Sequence, residues 1–125
     1  MISGPLAAMM LADQGADVIK VEPPEGDILR DVGPMRNPGM GHIYLHINRN
    51  KRSVVLDLKQ PAGRDAALRL AEKSDVLVFN VRPKAMARLG LSYEDVKKVN
   101  PKIIYAGAVG FGEGGPYSGK SAYDD

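Results

Sequence analysis

The 125-residue chain contains no cysteine and no tryptophan. Without cysteine there is no disulfide framework, no thiolate metal site and no cysteine nucleophile. Net charge is also slight: 17 Lys and Arg stand against 15 Asp and Glu, which removes a whole-chain electrostatic case for nucleic acid. With 2 Phe and 5 Tyr there are too few rings to interleave with single-stranded bases. Long apolar runs are missing as well. Pro5–Ala12 falls far short of the roughly 20 residues of a membrane helix, and it lacks the basic flank of a signal peptide. These absences read as a soluble, cytoplasmic domain that binds neither nucleic acid nor membrane.

What is present is ordinary globular composition, 44% apolar and 26% charged, on a length suited to one domain. Pro5–Gln14 has helical spacing of Leu6, Met9 and Met10, with proline in its first turn and Gly15 to stop it. Asp17–Val21 reads as a strand ended by Pro23 and Pro24, and Ser53–Leu58 as a second. Pro61–Lys73 is an amphipathic helix. Val76–Phe79 is wholly apolar, the pattern of a strand buried on both faces. Ser92 caps a helix to Val99, and Ile103–Val109 is another apolar strand. Strands alternating with helices predict an α/β fold: a Rossmann-like, mainly parallel sheet holding all four strands, with helices on both faces. The sheet is expected to be incomplete, because no strand precedes the first helix and the chain stops where Ser121 would cap another. Between Pro23 and Arg52 no clear periodicity appears, and a structureless stretch of that length calls for a functional explanation.

Several patterns carry candidate chemistry. Gly110–Gly115 matches G-x-G-x-x-G after a strand, but Pro116 follows at once and disfavours the helix that a dinucleotide fingerprint requires. Gly114–Ser121 satisfies the P-loop pattern G-x-x-x-x-G-K-[ST], with Lys120 as its lysine and Ser121 as its magnesium hydroxyl. Here Pro116 removes an N–H from the phosphate cradle. His42 and His46 have i, i+4 spacing, but Ile43 stands where a zinc protease has glutamate, so no metal site is expected. Arg49, Lys51 and Arg52 form one basic cluster and Arg82, Lys84 and Arg88 another. Both could grip a polyphosphate ligand, but from charge alone a solvated surface balanced by Asp57 and Glu94 is the favoured reading.

In order along the chain, Gly4-Pro5, LADQGADVIKVEPPEGD (11–27), NRNKRSVVLDLK (48–59), DVLVFNVRP (75–83), RLGLSYEDV (88–96), NPKIIYAG (100–107) and GFGEGGPYSGKSAYDD (110–125) resemble the N-terminal part of the class III CoA-transferase family. The family includes formyl-CoA and carnitine-CoA transferases and the related α-methylacyl-CoA racemases. The resemblance implies that residues 1–125 are the first part of a larger CoA-binding domain, lacking an opening strand. It implies an interlocked homodimer whose long loops, 23–52 among them, wrap CoA or acyl-CoA as substrate, with no permanently bound cofactor. By position, the family's CoA-binding residues fall on Ile2, Leu56, Lys59, Asn80, Val81, Arg88 and Leu89. Ile2, Pro23 and Val81 replace a glutamine, an arginine and a phenylalanine of formyl-CoA transferase, so formate is not named as the substrate.

The chemistry implied is transfer of CoA between an acyl-CoA and a carboxylic acid through an aspartyl covalent intermediate. The aspartate is expected beyond Asp125, so no catalytic residue is assigned here, Asp124 and Asp125 included. The glycine loop 110–115 is then an active-site segment. A racemase-like enzyme remains an alternative; its resemblance pattern has histidine where Tyr123 stands. A P-loop nucleotide-binding module and a relic that keeps the fold without the chemistry are the others.

Overall fold

The computed structural model describes residues 2–112, 114–118, 120 and 122. The elements, in order, are helix α1 (Ser3–Asp13), strand β1 (Val18–Glu22), a 3-10 turn (Ile28–Asp31), α2 (His42–Ile47), β2 (Lys51–Val55), α3 (Pro61–Glu72), β3 (Val76–Phe79), α4 (Pro83–Arg88), α5 (Tyr93–Val99) and β4 (Ile104–Gly107).

The α/β class and the parallel pairing hold, but the single four-stranded sheet does not. Among the described residues β1 pairs with β2 and β3 pairs with β4, both parallel, as two separate pairs. Short apolar runs carry no information about which strand they pair with; packing decides. Here each pair has its own core. The 3-10 turn and α2 supply Leu29, Tyr44 and Ile47 beside β1–β2. Helices α3 and α5 lay Ala71 and Val96, with Ile103, against Leu77 and Tyr105 of β3–β4. Helix α1 touches both β1 and β3.

Burial of β3 on both faces is also corrected. Leu77 packs into the α3–α5 cluster and the Phe79 ring stacks near Tyr105 at 4.6 Å. Val76 and Val78 on the opposite face are 40% and 39% exposed, and Ile104 of β4 is 62% exposed. Helices α3 and α5 lie against one face, and the start of α1 approaches the other, where a Cβ at Gly4 would stand 3.8 Å from Val78.

Two boundaries shift for local reasons. Strand β2 begins at Lys51, in register with Val18, because the Lys51 ammonium is anchored on the carbonyls of Pro5 and Ile47 and on Asn48 Oδ1. It stops before Leu58 because Asp57 accepts the Lys59 N–H on its side chain and the Gln60 N–H on its carbonyl, turning the chain into α3. Ser92 caps α5 as expected, in a reciprocal box with Asp95. Asn100 Nδ2 donates to the carbonyls of Ala71 and Ser74, closing the C-terminal end of α3.

The 23–52 stretch is ordered around one buried carboxylate. Glu22, at the end of β1, is 2% exposed. Its Oε1 accepts from Arg30 Nη2 (3.0 Å), Tyr44 OH (2.9 Å) and Ser53 Oγ (2.7 Å). Its Oε2 accepts from Arg30 Nε (2.9 Å) and the Asp27 N–H (3.1 Å). The Arg30 guanidinium lies over the Tyr44 ring at 4.0 Å. Burial pushes the carboxyl up, yet the bonds from Arg30, Ser53, Tyr44 and Asp27 outweigh it and hold its pKa at about 2, against an ordinary 4.5.

Because the folded value lies below the unfolded one, this carboxylate stabilises the fold above about pH 4.5, and the contribution is lost as pH falls toward 2. At about 1.4 kcal/mol per pKa unit the effect is on the order of 3 kcal/mol. Glu22→Gln leaves Arg30 without its partner and is expected to destabilise by roughly 3–5 kcal/mol. It should also flatten the acid limb between pH 4.5 and 2 in urea denaturation. An unchanged acid limb would show that the carboxylate is not the anchor.

Candidate functional site

The carboxyl ends of parallel strands are where open α/β sheets hold ligands, and both pairs place candidate residues there. At the end of β3, Asn80 and Val81 follow Phe79. The N-terminus of α1 rests on the same end: a Cβ at Gly4 would stand 3.8 Å from Asn80, Val78 and Ala108 side-chain atoms. Ile2, the residue before α1, is thereby brought to Asn80's end of the pair, and both are exposed. Leu56 extends the β1–β2 ladder through its N–H to the Glu22 carbonyl and is half-buried.

Lys59, Arg88 and Leu89 are gathered around the first turn of α3. Lys59 sits in the Asp57–Gln60 turn, and a Cβ on Gly63 would overlap the Asp57 carbonyl oxygen, so that turn lies directly on the helix. One residue on, Arg64 packs beneath Gly90, whose φ of +68° ends the chain run from α4. The C-terminal end of α4, with Arg88 exposed and Leu89 half-buried, therefore abuts the same helix start. The structure brings six of the seven positions into two groups, Ile2, Asn80 and Val81 at the end of β3 and Lys59, Arg88 and Leu89 at the start of α3, joined by the short α4, while Leu56 lies at the end of β2.

The basic residues divide by what they touch. Arg49 pairs with Asp13 at 2.6 Å and Arg52 with Asp17 at 2.5 Å. Lys51 is spent on carbonyls; burial and then the Lys20 charge pull its pKa down to about 8. The 49–52 cluster is therefore committed to the fold, and its counter-ions are Asp13 and Asp17 rather than Asp57 and Glu94. Lys59, Arg82, Lys84 and Arg88, by contrast, have no acidic partner among the described residues.

The P-loop reading meets a different geometry. The Ser118 N–H donates to the Gly115 carbonyl (3.1 Å) and the Lys120 N–H to the Tyr117 carbonyl (2.8 Å), so these amides close turns instead of converging on an anion. The Lys120 ammonium lies over the Tyr117 ring at 4.4 Å. Glu113, Gly119 and Ser121 lie outside the described residues, as do Tyr123, Asp124 and Asp125. In the glycine segment, Gly110 is packed on Ala122. His42 and His46 do share α2, both exposed, and among the described residues no three His, Asp or Glu are placed to hold a metal ion. No helix among them is long and apolar enough to cross a membrane.

Between the ends of β3 and β4 lies a cleft of about 180 Å³, lined by Asn80, Arg82, Val109, Phe111, Ser118 and Lys120 among others. Arg82 comes from the basic cluster and Lys120 from the P-loop pattern, and sequence reasoning did not join them. Their shared signal is position: each follows one of two paired strands on the carboxyl side.

The model of CoA-transferase family III matches residues 1–125. A succinate–glutarate CoA-transferase of Agrobacterium fabrum is 45% identical over 98% of this chain and 32% of its own length. A formyl-CoA:oxalate CoA-transferase of Streptomyces coelicolor is 44% identical over 98% of the chain and 30% of its own. The crystal structure of a CAIB/BAIF family protein from Brucella suis superposes with a TM-score of 0.90 at 41% identity, covering 98% of this chain and 34% of that one. The chain thus spans about a third of the length of these proteins.

Two outcomes follow from the site geometry. Gly63→Ala should destabilise by about 1–3 kcal/mol through overpacking, and urea denaturation of the variant measures it. Calorimetric titration with Mg-ATP should give no heat of binding, since the Ser118 and Lys120 amides already close turns. A tight ATP isotherm abolished by Lys120→Ala would restore the nucleotide module.

Proposed function

The chain belongs to CoA-transferase family III, and from that premise we propose that the protein transfers CoA between an acyl-CoA and a carboxylic acid. The observation that carries the reading is the pair Lys59 and Arg88. Both are exposed at the start of α3 with no acidic partner among the described residues, while Arg30, Arg49 and Arg52 are paired internally. Unpaired cations gathered at the start of α3 suit phosphate groups of CoA. Ile2, Leu56, Asn80, Val81 and Leu89 supply polar and apolar surface for the rest of the cofactor-sized substrate.

The reaction proceeds by covalent catalysis. An aspartate outside these 125 residues attacks the thioester carbonyl and forms a mixed anhydride, releasing CoA thiolate. The thiolate attacks the aspartyl carbonyl, giving an aspartyl thioester and the free acid. The acceptor carboxylate then attacks that thioester, forming a new anhydride, and the returning thiolate yields the new acyl-CoA and regenerates the aspartate. Tyrosine at position 123 favours this chemistry over racemisation, because a phenol with pKa near 10 is a poor base at neutral pH. The names of the similar transferases, with succinate, glutarate and oxalate, point to dicarboxylic acids as the substrate class. The same reading includes a homodimer, to which the exposed apolar faces of Ile19 and Val21 and of Val76, Val78 and Ile104 offer surface.

Charge-assisted contacts to phosphate are worth roughly 1.5–3 kcal/mol each. Lys59→Ala or Arg88→Ala is therefore expected to weaken CoA binding about ten- to a hundredfold with the thermal midpoint unchanged. Calorimetric titration of the purified protein with CoA tests this, and unaltered affinity in both variants would sink the phosphate assignment.

A further inference from the structure

Lys51 opens β2 as a half-buried cation whose bonds reach well beyond its own strand. Its ammonium donates to the Pro5 carbonyl (2.7 Å), the Ile47 carbonyl (2.9 Å) and Asn48 Oδ1 (2.9 Å). An ammonium has three N–H donors, so all of them are in use. Two of the bonds are local, running four and three residues back to the end of α2. The remaining one spans 46 residues and lands on the first turn of α1. That turn is packed on the β3–β4 pair as well, where a Cβ at Gly4 would stand 3.8 Å from side-chain atoms of Asn80, Val78 and Ala108. Ile2 directly precedes it. Through one side chain, then, the β1–β2 half of the molecule holds the turn that brings Ile2 to the end of β3.

Resting on the CoA-transferase reading, we propose that Lys51 is a positioning residue for CoA: its charged tether to the Pro5 carbonyl sets Ile2 against Asn80, and loss of that charge releases the turn. A neutral amine keeps two donors and turns a lone pair toward the third oxygen. The Ile47 and Asn48 acceptors are held close by a few residues of chain, so the remote Pro5 carbonyl is the one given up. Burial and the Lys20 charge, opposed by Asp27, bring the Lys51 pKa from the ordinary 10.5 down to about 8. The tether is therefore lost as pH rises through that value. Other charged groups on the surrounding elements are engaged elsewhere. Lys20 and Asp27 pair with each other at 2.5 Å, Asp13 of α1 pairs with Arg49, and Arg52 of β2 pairs with Asp17. On α2, Tyr44 bonds Glu22, and His42 and His46 are exposed. Because the folded value lies below the unfolded one, the unfolded chain holds the extra proton between about pH 8 and 10.5. Lys51 thus costs no stability as pH rises there, and a fall in affinity marks local release.

Calorimetric titration of the purified protein with CoA from about pH 7 to 9, with the thermal midpoint followed alongside, is the test. The affinity should fall roughly three- to tenfold as pH rises through about 8, with no matching drop in the midpoint. Lys51→Met keeps the apolar stem and removes the charge, and should show the weaker affinity at every pH. Lys51→Arg stays charged throughout and should recover much of the neutral-pH affinity while losing the alkaline fall. Each variant tests the proposal alone, since both predict a flat profile and reach it from opposite sides. An alkaline fall that persists in either variant belongs to another group and overturns the proposal. So does a flat profile in the unsubstituted protein, a fall that tracks the midpoint, or a Lys51→Met variant that matches the parent at neutral pH. An unsubstituted protein that binds no CoA at any pH brings down the transferase reading itself, and this inference with it.

Discussion

The carboxylate of Glu22 is the constraint on which the first half of the molecule depends. A buried charge is tolerated only when its lone pairs are answered. Here they are answered from four places in the sequence: the backbone at Asp27, the side chains of Arg30 and Tyr44, and Ser53 on the neighbouring strand. Satisfying one group therefore fixes the loop after β1, the 3-10 turn, α2 and the register of β2 together. Tyr44 is drawn in tightly enough that burial, reinforced by the Glu22 bond and charge, raises its phenol to about 12. What looks like thirty residues without periodicity is a polar hub with a small apolar lining of Leu29, Tyr44 and Ile47.

That arrangement marks the boundary of what the sequence makes legible. Helix α3 and strand β3 follow from periodicity and composition, and α5 from its Ser92 cap, because those signals are local. The hub is not local. Its faint trace is a glutamate closing an apolar strand with an arginine eight residues later, and nothing in that spacing says that Tyr44 and Ser53 will join them. The short helices α2 and α4 escaped for a related reason: six residues give less than two turns, too few for a 3.6-residue period to show. Pairing escaped too. Val76–Phe79 reads as a sheet interior, yet only Leu77 and Phe79 meet covering side chains, since coverage depends on where α3 and α5 dock.

For the site, charge could be counted from the sequence but not apportioned. Arg49 and Arg52 are indistinguishable there from Lys59 and Arg88. Asp13 and Asp17, more than thirty residues upstream, claim the first two because α1 and β1 carry those acids to the start of β2. The positions taken from the family resemblance fall at strand carboxyl ends and around the start of α3, where Gly63 and Gly90 permit close backbone approach. Neither glycine looks special in the sequence, because the space each keeps open belongs to a segment remote from it or to a side chain on another helix.

The unpaired cations have an electrostatic consequence of their own. Arg82 and Arg88 flank a helix of six residues, about 9 Å in length, with Lys84 between them. That span is comparable to the Debye length of about 8–10 Å at physiological salt, so their mutual repulsion is only partly screened. A fold that merely needed solubility would interleave acids here, as it does on α5 with Glu94, Asp95, Lys97 and Lys98. Along α4 no acid is interleaved, and the repulsion stays uncompensated within the helix. Such a concentration of one sign of charge gives this end of the molecule a positive potential. The internally paired cations build the fold, while Lys59, Arg82, Lys84 and Arg88 leave positive charge unanswered among the described residues from the start of α3 along α4.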